Sequence, residues 1–78
     1  MVSYELRKED GISMDAKEIG KRLESLRGSR SQAEVARATN LTPSAIWMYE
    51  HGERIPKDEI KIILAKYYKT SVAKIFYA

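Results

Sequence analysis

The sequence has no cysteine and only one histidine in its 78 residues. The lack of cysteine excludes disulfides, thiolate metal sites and cysteine nucleophiles, and a single histidine excludes a site built from several imidazoles. No apolar run, 62–65 included, exceeds five residues, far fewer than the ~20 that a membrane span needs. Residues 1–14 include three acidic side chains and no long apolar stretch, which is not the pattern of a signal peptide. We expect a soluble, cytoplasmic protein without a membrane contact.

Enzyme-like patterns are also lacking. We find no Ser/His/Asp set, no pair of carboxylates on one face and no glycine-rich phosphate loop, so we predict no catalytic residues, no metal and no cofactor. The chain has 14 basic and 11 acidic residues and a net charge of +3. Four lysines and no acidic residue follow Ile60, so the positive charge is concentrated near the C-terminal end. A surplus this small does not by itself establish nucleic-acid binding.

The remaining pattern predicts an all-α chain of five short helices around one small core. The first begins near Asp15 and ends at Gly28, the second follows Ser31, and the third follows Thr42 and ends at His51-Gly52. A fourth is expected from about Lys57 to Tyr68, with Ile60, Ile63, Leu64, Tyr67 and Tyr68 facing inward, and a fifth after Ser71. Residues 1–14 are expected to be an N-terminal arm, flexible or paired with a second copy, and residues 15–78 the domain.

The second and third helices are joined by a turn too short for an antiparallel arrangement. Small Ala36 allows a close approach between them, and Leu41 and Ile46 would fill the angle. These features predict a helix-turn-helix, in which the second helix of the pair projects from the surface.

At this point the chain resembles a known family, the lambda-repressor/Cro-like (Xre) helix-turn-helix regulators, over about residues 17–76. The resemblance lies in Ile19-Gly20, Leu23, Leu26-Arg27, Ser31-Gln32, Glu34-Val35-Ala36, Leu41-Thr42, Ile46, Tyr49-Glu50-His51-Gly52, Arg54, Pro56, Leu64-Ala65-Lys66 and Ser71-Val72. It implies a compact five-helix DNA-binding domain and a transcriptional regulator, expected to be a repressor that inserts about residues 43–50 into the major groove.

The resemblance also implies roles for individual residues. The DNA-binding positions would be Arg30, Gln32, Thr42, Pro43, Ser44, Trp47, Met48 and Arg54, of which Gln32 and Arg54 would contact phosphates. Arg27 and Glu50 would form a buried pair that ties the first helix to the third. For each charged position the plainer alternative is a solvated side chain, and for Gln32 an ordinary polar residue of the first turn.

The sequence departs from the family pattern in two places that affect function. The loop before Ser31 is short, and Arg30 stands where an apolar residue is common, so it is expected either to face phosphates or to be solvated. The outer positions 43, 44, 47 and 48 hold none of the Arg, Lys, Asn or Gln side chains that usually read base edges. Trp47 and Met48 could meet thymine methyls or a protein partner, or Trp47 could turn into the core.

Two functional hypotheses follow from these features. The first is a regulator that binds an inverted-repeat operator in double-stranded DNA as a homodimer. Its dimer surface would lie in the C-terminal helix, where Ile75, Phe76 and Tyr77 are expected to stay exposed. The second is a protein-interaction module of the same fold that antagonises a related repressor, favoured by the apolar face between Pro43 and Met48 and by the small net charge.

Overall fold

The computed structural model describes residues 15–78, and within that range the chain forms five α-helices and no strand. They are α1 (Ala16–Arg27), α2 (Gln32–Thr39), α3 (Pro43–Glu50), α4 (Asp58–Tyr67) and α5 (Val72–Phe76). The prediction of an all-α, five-helix domain is therefore confirmed. The predicted arm, 1–14, lies outside the described residues.

Short polar side chains begin most of the helices, as their positions in the sequence predict. Asp15 accepts from the backbone N–H groups of Lys17 and Glu18, at 3.0 and 3.3 Å. The hydroxyls of Ser31, Thr42 and Ser71 each accept from the N–H three residues on, at 3.0–3.1 Å. Each such cap satisfies a donor that the helix itself leaves unpaired, and is worth about 1 kcal/mol.

The turn between α2 and α3 is set by a left-handed residue. Asn40 has φ 60° and ψ 35°, a conformation that asparagine tolerates better than most side chains. The N–H of Leu41 then donates to the carbonyl of Ala36 at 2.8 Å, which closes α2 in a Schellman arrangement. Because the chain reverses so tightly, Thr42 begins α3 only two residues after Asn40.

The helices enclose a single core. α1 packs against α3 and α5, α2 packs against α3 and α4, and α4 packs against α5. The buried apolar side chains are Ile19, Leu23, Val35, Ala36, Ile46, Tyr49, Leu64, Ala65, Tyr68, Ile75 and Phe76. Gly20 marks the closest approach of α1 to α3, since a Cβ there would overlap the carbonyl oxygen of Glu50.

Two predictions about the C-terminal third are wrong. Ile75 and Phe76 are buried in the core, because α5 folds back on both α1 and α4. Of the three apolar residues expected to form the dimer surface, only Tyr77 is well exposed. In α4, Ile63 was expected to face inward but is exposed. Lys61, two residues earlier, is instead buried, with 5% exposure. The Lys61 ammonium lies 3.1 Å from the Tyr77 hydroxyl and 5.7 Å from the Phe76 ring, so a charged side chain takes part in closing α5 onto α4.

Candidate nucleic-acid interface

Helix α3 has an inner face in the core and an outer face toward solvent. Ile46, Tyr49 and Glu50 are buried, whereas Pro43, Ser44 and Trp47 are exposed. The side chains alternate in this way because residues three or four apart share a face of a helix. The predicted outer positions of the recognition helix are therefore on the surface, and Trp47, at 44% exposure, does not turn into the core.

Five of the predicted site residues line one open groove. Its volume is about 330 Å³, and it is formed by Gln32, Pro43, Ser44, Trp47 and Met48. It runs between the first turn of α2 and the outer face of α3. Thr42 is not part of the groove lining; it is the N-cap of α3, and its hydroxyl accepts from the N–H of Ala45.

Trp47 is held in a stacked pair. Its indole lies on the imidazole of His51, with ring centroids 3.9 Å apart and planes inclined by 14°. The Nδ1 of His51 is 2.9 Å from the backbone oxygen of Trp47, which anchors the imidazole one turn along the same helix. The contribution of His51 was not predicted, although the i, i+4 spacing of two flat rings is visible in the sequence.

A buried carboxylate joins three elements behind this surface. Glu50, with a side chain only 2% exposed, accepts from Nε of Arg27 at 2.7 Å and from its Nη2 at 3.0 Å. The side-chain amide of Gln32 donates to the same carboxylate at 3.0 Å. The hydrogen bond with Glu50 raises the pKa of Arg27 further above its ordinary value. The structure thus has the predicted tie between α1 and α3, and it adds Gln32 from α2.

Arg30 contacts its own chain. Its guanidinium donates to the backbone oxygens of Leu26 at 2.7 Å and Arg27 at 3.1 Å, and so caps the C-terminal end of α1. The same group lies over the rings of Tyr67 and Tyr68, 5.2 and 5.3 Å from their centroids. A guanidinium stacks well on aromatic faces, so Arg30 fills the position at which an apolar residue was expected. Burial raises the pKa of the Tyr68 hydroxyl to about 12.

Arg54 lies apart from the groove, in the loop that follows α3. It is exposed, and with Lys57 and three apolar residues it borders a separate open cavity of about 570 Å³. The loop begins with Gly52 at φ 72°, after which the N–H of Glu53 donates to the carbonyl of Met48 at 2.9 Å. Two cationic side chains therefore border the C-terminal end of α3 and the start of α4.

Residues 15–78 contain no group of three or more His, Cys, Asp or Glu side chains that could hold a metal ion. No helix in this range is long and apolar enough to cross a membrane.

Several solved structures share this architecture. The SOS-response transcriptional repressor LexA from Eubacterium rectale superposes with a TM-score of 0.74 at 19% identity, covering 80% of this chain and 68% of that one. The P22 c2 repressor in complex with synthetic operator 9T superposes with a TM-score of 0.72 at 23% identity, covering 74% of this chain and 91% of that one. The restriction-modification controller protein C.AhdI from Aeromonas hydrophila superposes with a TM-score of 0.73 at 26% identity, covering 80% of this chain and 97% of that one.

Sequence comparison agrees with the structural one. No curated protein sequence matches the chain significantly. The family model described as helix-turn-helix matches residues 23–75, which is well over half of the sequence and includes α2, the turn and α3. The chain therefore belongs to the helix-turn-helix family of lambda-repressor (Xre) type, a family of DNA-binding transcriptional regulators.

Proposed function

We propose that this protein is a sequence-specific transcriptional repressor that inserts α3 into the major groove of an operator. The observation that carries the proposal is the division of α3 into a buried inner face and an exposed outer face next to the first turn of α2. An α-helix presented in this way fits the major groove, which is about 12 Å wide. The P22 c2 repressor, of similar fold, was solved on operator DNA. A repressor of this kind acts where the DNA is, which in our proposal is the cytoplasm.

The phosphate contacts would come from groups on either side of α3. Gln32 stands in the first turn of α2, where backbone N–H groups favour an anion, and its amide is held in place by Glu50. Exposed Arg54 and Lys57 would contact the backbone beyond the other end of α3. We assign Arg30 to the loop between α1 and α2 instead, since its guanidinium is occupied by two carbonyls and two tyrosine rings.

Selection of bound duplexes from a random DNA pool tests this function. We expect one enriched motif, with an affinity that falls steeply between about 50 and 200 mM salt because counterions are released from the phosphates. Arg54→Ala should weaken binding to all duplexes and reduce the salt slope by about one. Lys74→Ala, which removes an exposed charge from α5, is the matched control and should leave the slope unchanged. Recovery of no motif, or a flat salt dependence, would contradict the proposal.

Dimerisation on an inverted repeat is a further part of the proposal. Two recognition helices related by a two-fold axis would lie about 34 Å apart, one turn of DNA. With Ile75 and Phe76 buried, the apolar area available to a second copy comes from Tyr77 and from Ile62 and Ile63 of α4. Sedimentation of the protein with and without the selected duplex tests this, and a motif with no two-fold symmetry bound by one protomer would refute it.

One observation favours the alternative, a protein-interaction module that antagonises a related repressor. The exposed face of α3 is mainly apolar and contains a half-exposed tryptophan, as protein interfaces often do. Gln32→Ala and Trp47→Ala separate the two functions. Loss of DNA affinity in the Gln32 variant supports the repressor, whereas an unaffected Gln32 variant and a Trp47 variant that no longer binds a related repressor would support the antagonist.

A further inference from the structure

We infer that the groove between α2 and α3 reads the C5 methyl groups of thymines, so that operator specificity comes mainly from apolar contacts. This inference rests on the proposed function and concerns the same surface. It names what the groove recognises within the operator, which neither the fold nor the family membership determines.

The lining of the groove is mainly apolar. None of its five residues carries a charge, and three of them, Pro43, Trp47 and Met48, present apolar surface. The Gln32 amide donates one of its two N–H groups to Glu50 at 3.0 Å, and the proposed function assigns this residue to a phosphate and not to a base edge. Ser44 offers a hydroxyl that can bond to several base edges and so distinguishes them poorly. Hydrogen bonds from this lining therefore supply little discrimination between base pairs.

The DNA major groove offers one apolar group that suits such a lining. The major groove displays hydrogen-bonding groups at every base pair, and its one apolar group is the C5 methyl of thymine. The apolar lining is partly exposed in the free protein, so burying it against such a methyl contributes the most favourable binding free energy. Guanine or cytosine at the same position would leave polar edges against Trp47 and Met48 without partners, which is unfavourable. The lining thus both attracts thymine and disfavours its competitors.

The indole of Trp47 is held in one orientation. Trp47 lies flat on His51, and the imidazole is anchored to the backbone oxygen of Trp47 at 2.9 Å. Because the ring orientation is fixed before binding, little side-chain entropy is lost when a methyl group packs against it. An exposed tryptophan without such support would lose affinity on being ordered.

The test removes single methyl groups from the selected duplex. Replacing one thymine by deoxyuridine deletes the C5 methyl and leaves every hydrogen-bonding group of the base. Filter binding should show about fourfold weaker affinity for each thymine that the groove covers, the effect of losing one buried methyl-sized group. In Trp47→Ala the ratio between thymine and uracil duplexes should fall to about one at the thymine next to the indole. Lys74→Ala, which shortens an exposed side chain of α5 outside the groove, should keep the wild-type ratio.

The outcomes separate this inference from the function on which it rests. Salt-dependent binding with equal affinity for thymine and uracil at every position would refute methyl reading and leave the repressor function standing. A ratio that stays at the wild-type value in both Trp47→Ala and Met48→Ala would refute it as well, and the second variant covers the case in which the first does not fold. Failure to bind any duplex would refute the proposed function, and the inference with it.

Discussion

Removing Arg27 should destabilise the chain severely, because its partner is a buried charge. In Arg27→Met the Glu50 carboxylate, with 2% of its side chain exposed, loses two of the three side-chain donors described above and keeps only Gln32. Leaving such a charge unpaired costs about 3–5 kcal/mol. A small domain has about 5 kcal/mol or little more in total. We therefore expect Arg27→Met to be close to half unfolded in dilute buffer.

Replacing Glu50 should lower the free energy of unfolding by less than replacing Arg27 does. Glu50→Met leaves the Arg27 guanidinium at 18% exposure, with its Nη1 still donating to the backbone oxygen of Arg30 at 2.8 Å, so we expect a loss of about 1–3 kcal/mol. The double variant Arg27→Met/Glu50→Met places two apolar side chains together and should be more stable than Arg27→Met alone.

Urea unfolding followed by circular dichroism measures all three variants. With a slope of about 1 kcal/mol per molar urea for a chain of this size, each kcal/mol moves the midpoint by about 1 M. A double variant that loses the sum of the two single losses would show that Arg27 and Glu50 are not coupled, and would refute the argument.

Four further variants test other parts of the fold. Gly20→Ala should cost about 3 kcal/mol or more, because its Cβ would meet the backbone of Glu50 and lie 2.9 Å from the Tyr49 oxygen. Gly28→Ala, with φ 60° and open space around the Cβ, should cost about 1–2 kcal/mol, and equal losses in the two would contradict the close approach of α1 to α3. The free energy of unfolding of the wild type should fall by about 2 kcal/mol between pH 10 and 12. Tyr68 releases its proton near pH 10 in the unfolded chain, whereas in the folded chain its pKa is raised to about 12 and it keeps the proton. In Tyr68→Phe this part of the alkaline loss should disappear from urea titrations, and an unchanged loss would refute the assignment to Tyr68. Thr42→Ala should destabilise by about 1 kcal/mol, measured in the same way, through loss of the cap on Ala45.

The helices were predictable because their ends are encoded locally. Asp15, Ser31, Thr42 and Ser71 all proved to be N-caps, and Asn40 took the left-handed conformation on which the helix-turn-helix depends. Caps and turns involve residues close in sequence, so the local pattern is enough to place them. This is why the architecture followed from the sequence alone.

What the sequence did not reveal depends on contacts between distant residues. Ile75 and Phe76 were expected on the surface because a chain of 78 residues was not expected to bury so much apolar area, but α5 packs against both α1 and α4. Lys61 was not expected in the interior, since lysine is rarely buried, and its hydrogen bond to Tyr77 spans sixteen positions. Periodicity identifies which residues share a face of a helix, but it does not say whether that face is covered.

In the candidate interface, too, some features were predictable from the sequence and others were not. The outward positions of α3 followed from helical spacing and from the family resemblance. The Trp47–His51 stack and the use of Gln32 by Glu50 did not, because they depend on rotamers and on the distance between two helices. Arg30 is the clearest case, since its residue type suggested a phosphate contact and its surroundings make it a support for a shortened loop.

The position of Trp47 gives the molecule an intrinsic optical reporter. It is the only tryptophan in the sequence, so indole emission comes from the outer face of α3 alone. Any ligand that covers this face changes the polarity around the indole or its stacking on His51. The intensity or the emission maximum of the tryptophan fluorescence therefore changes as well. Occupancy of the recognition helix can therefore be followed without a label, and unfolding of the more distant α5 should register only when it disturbs α3.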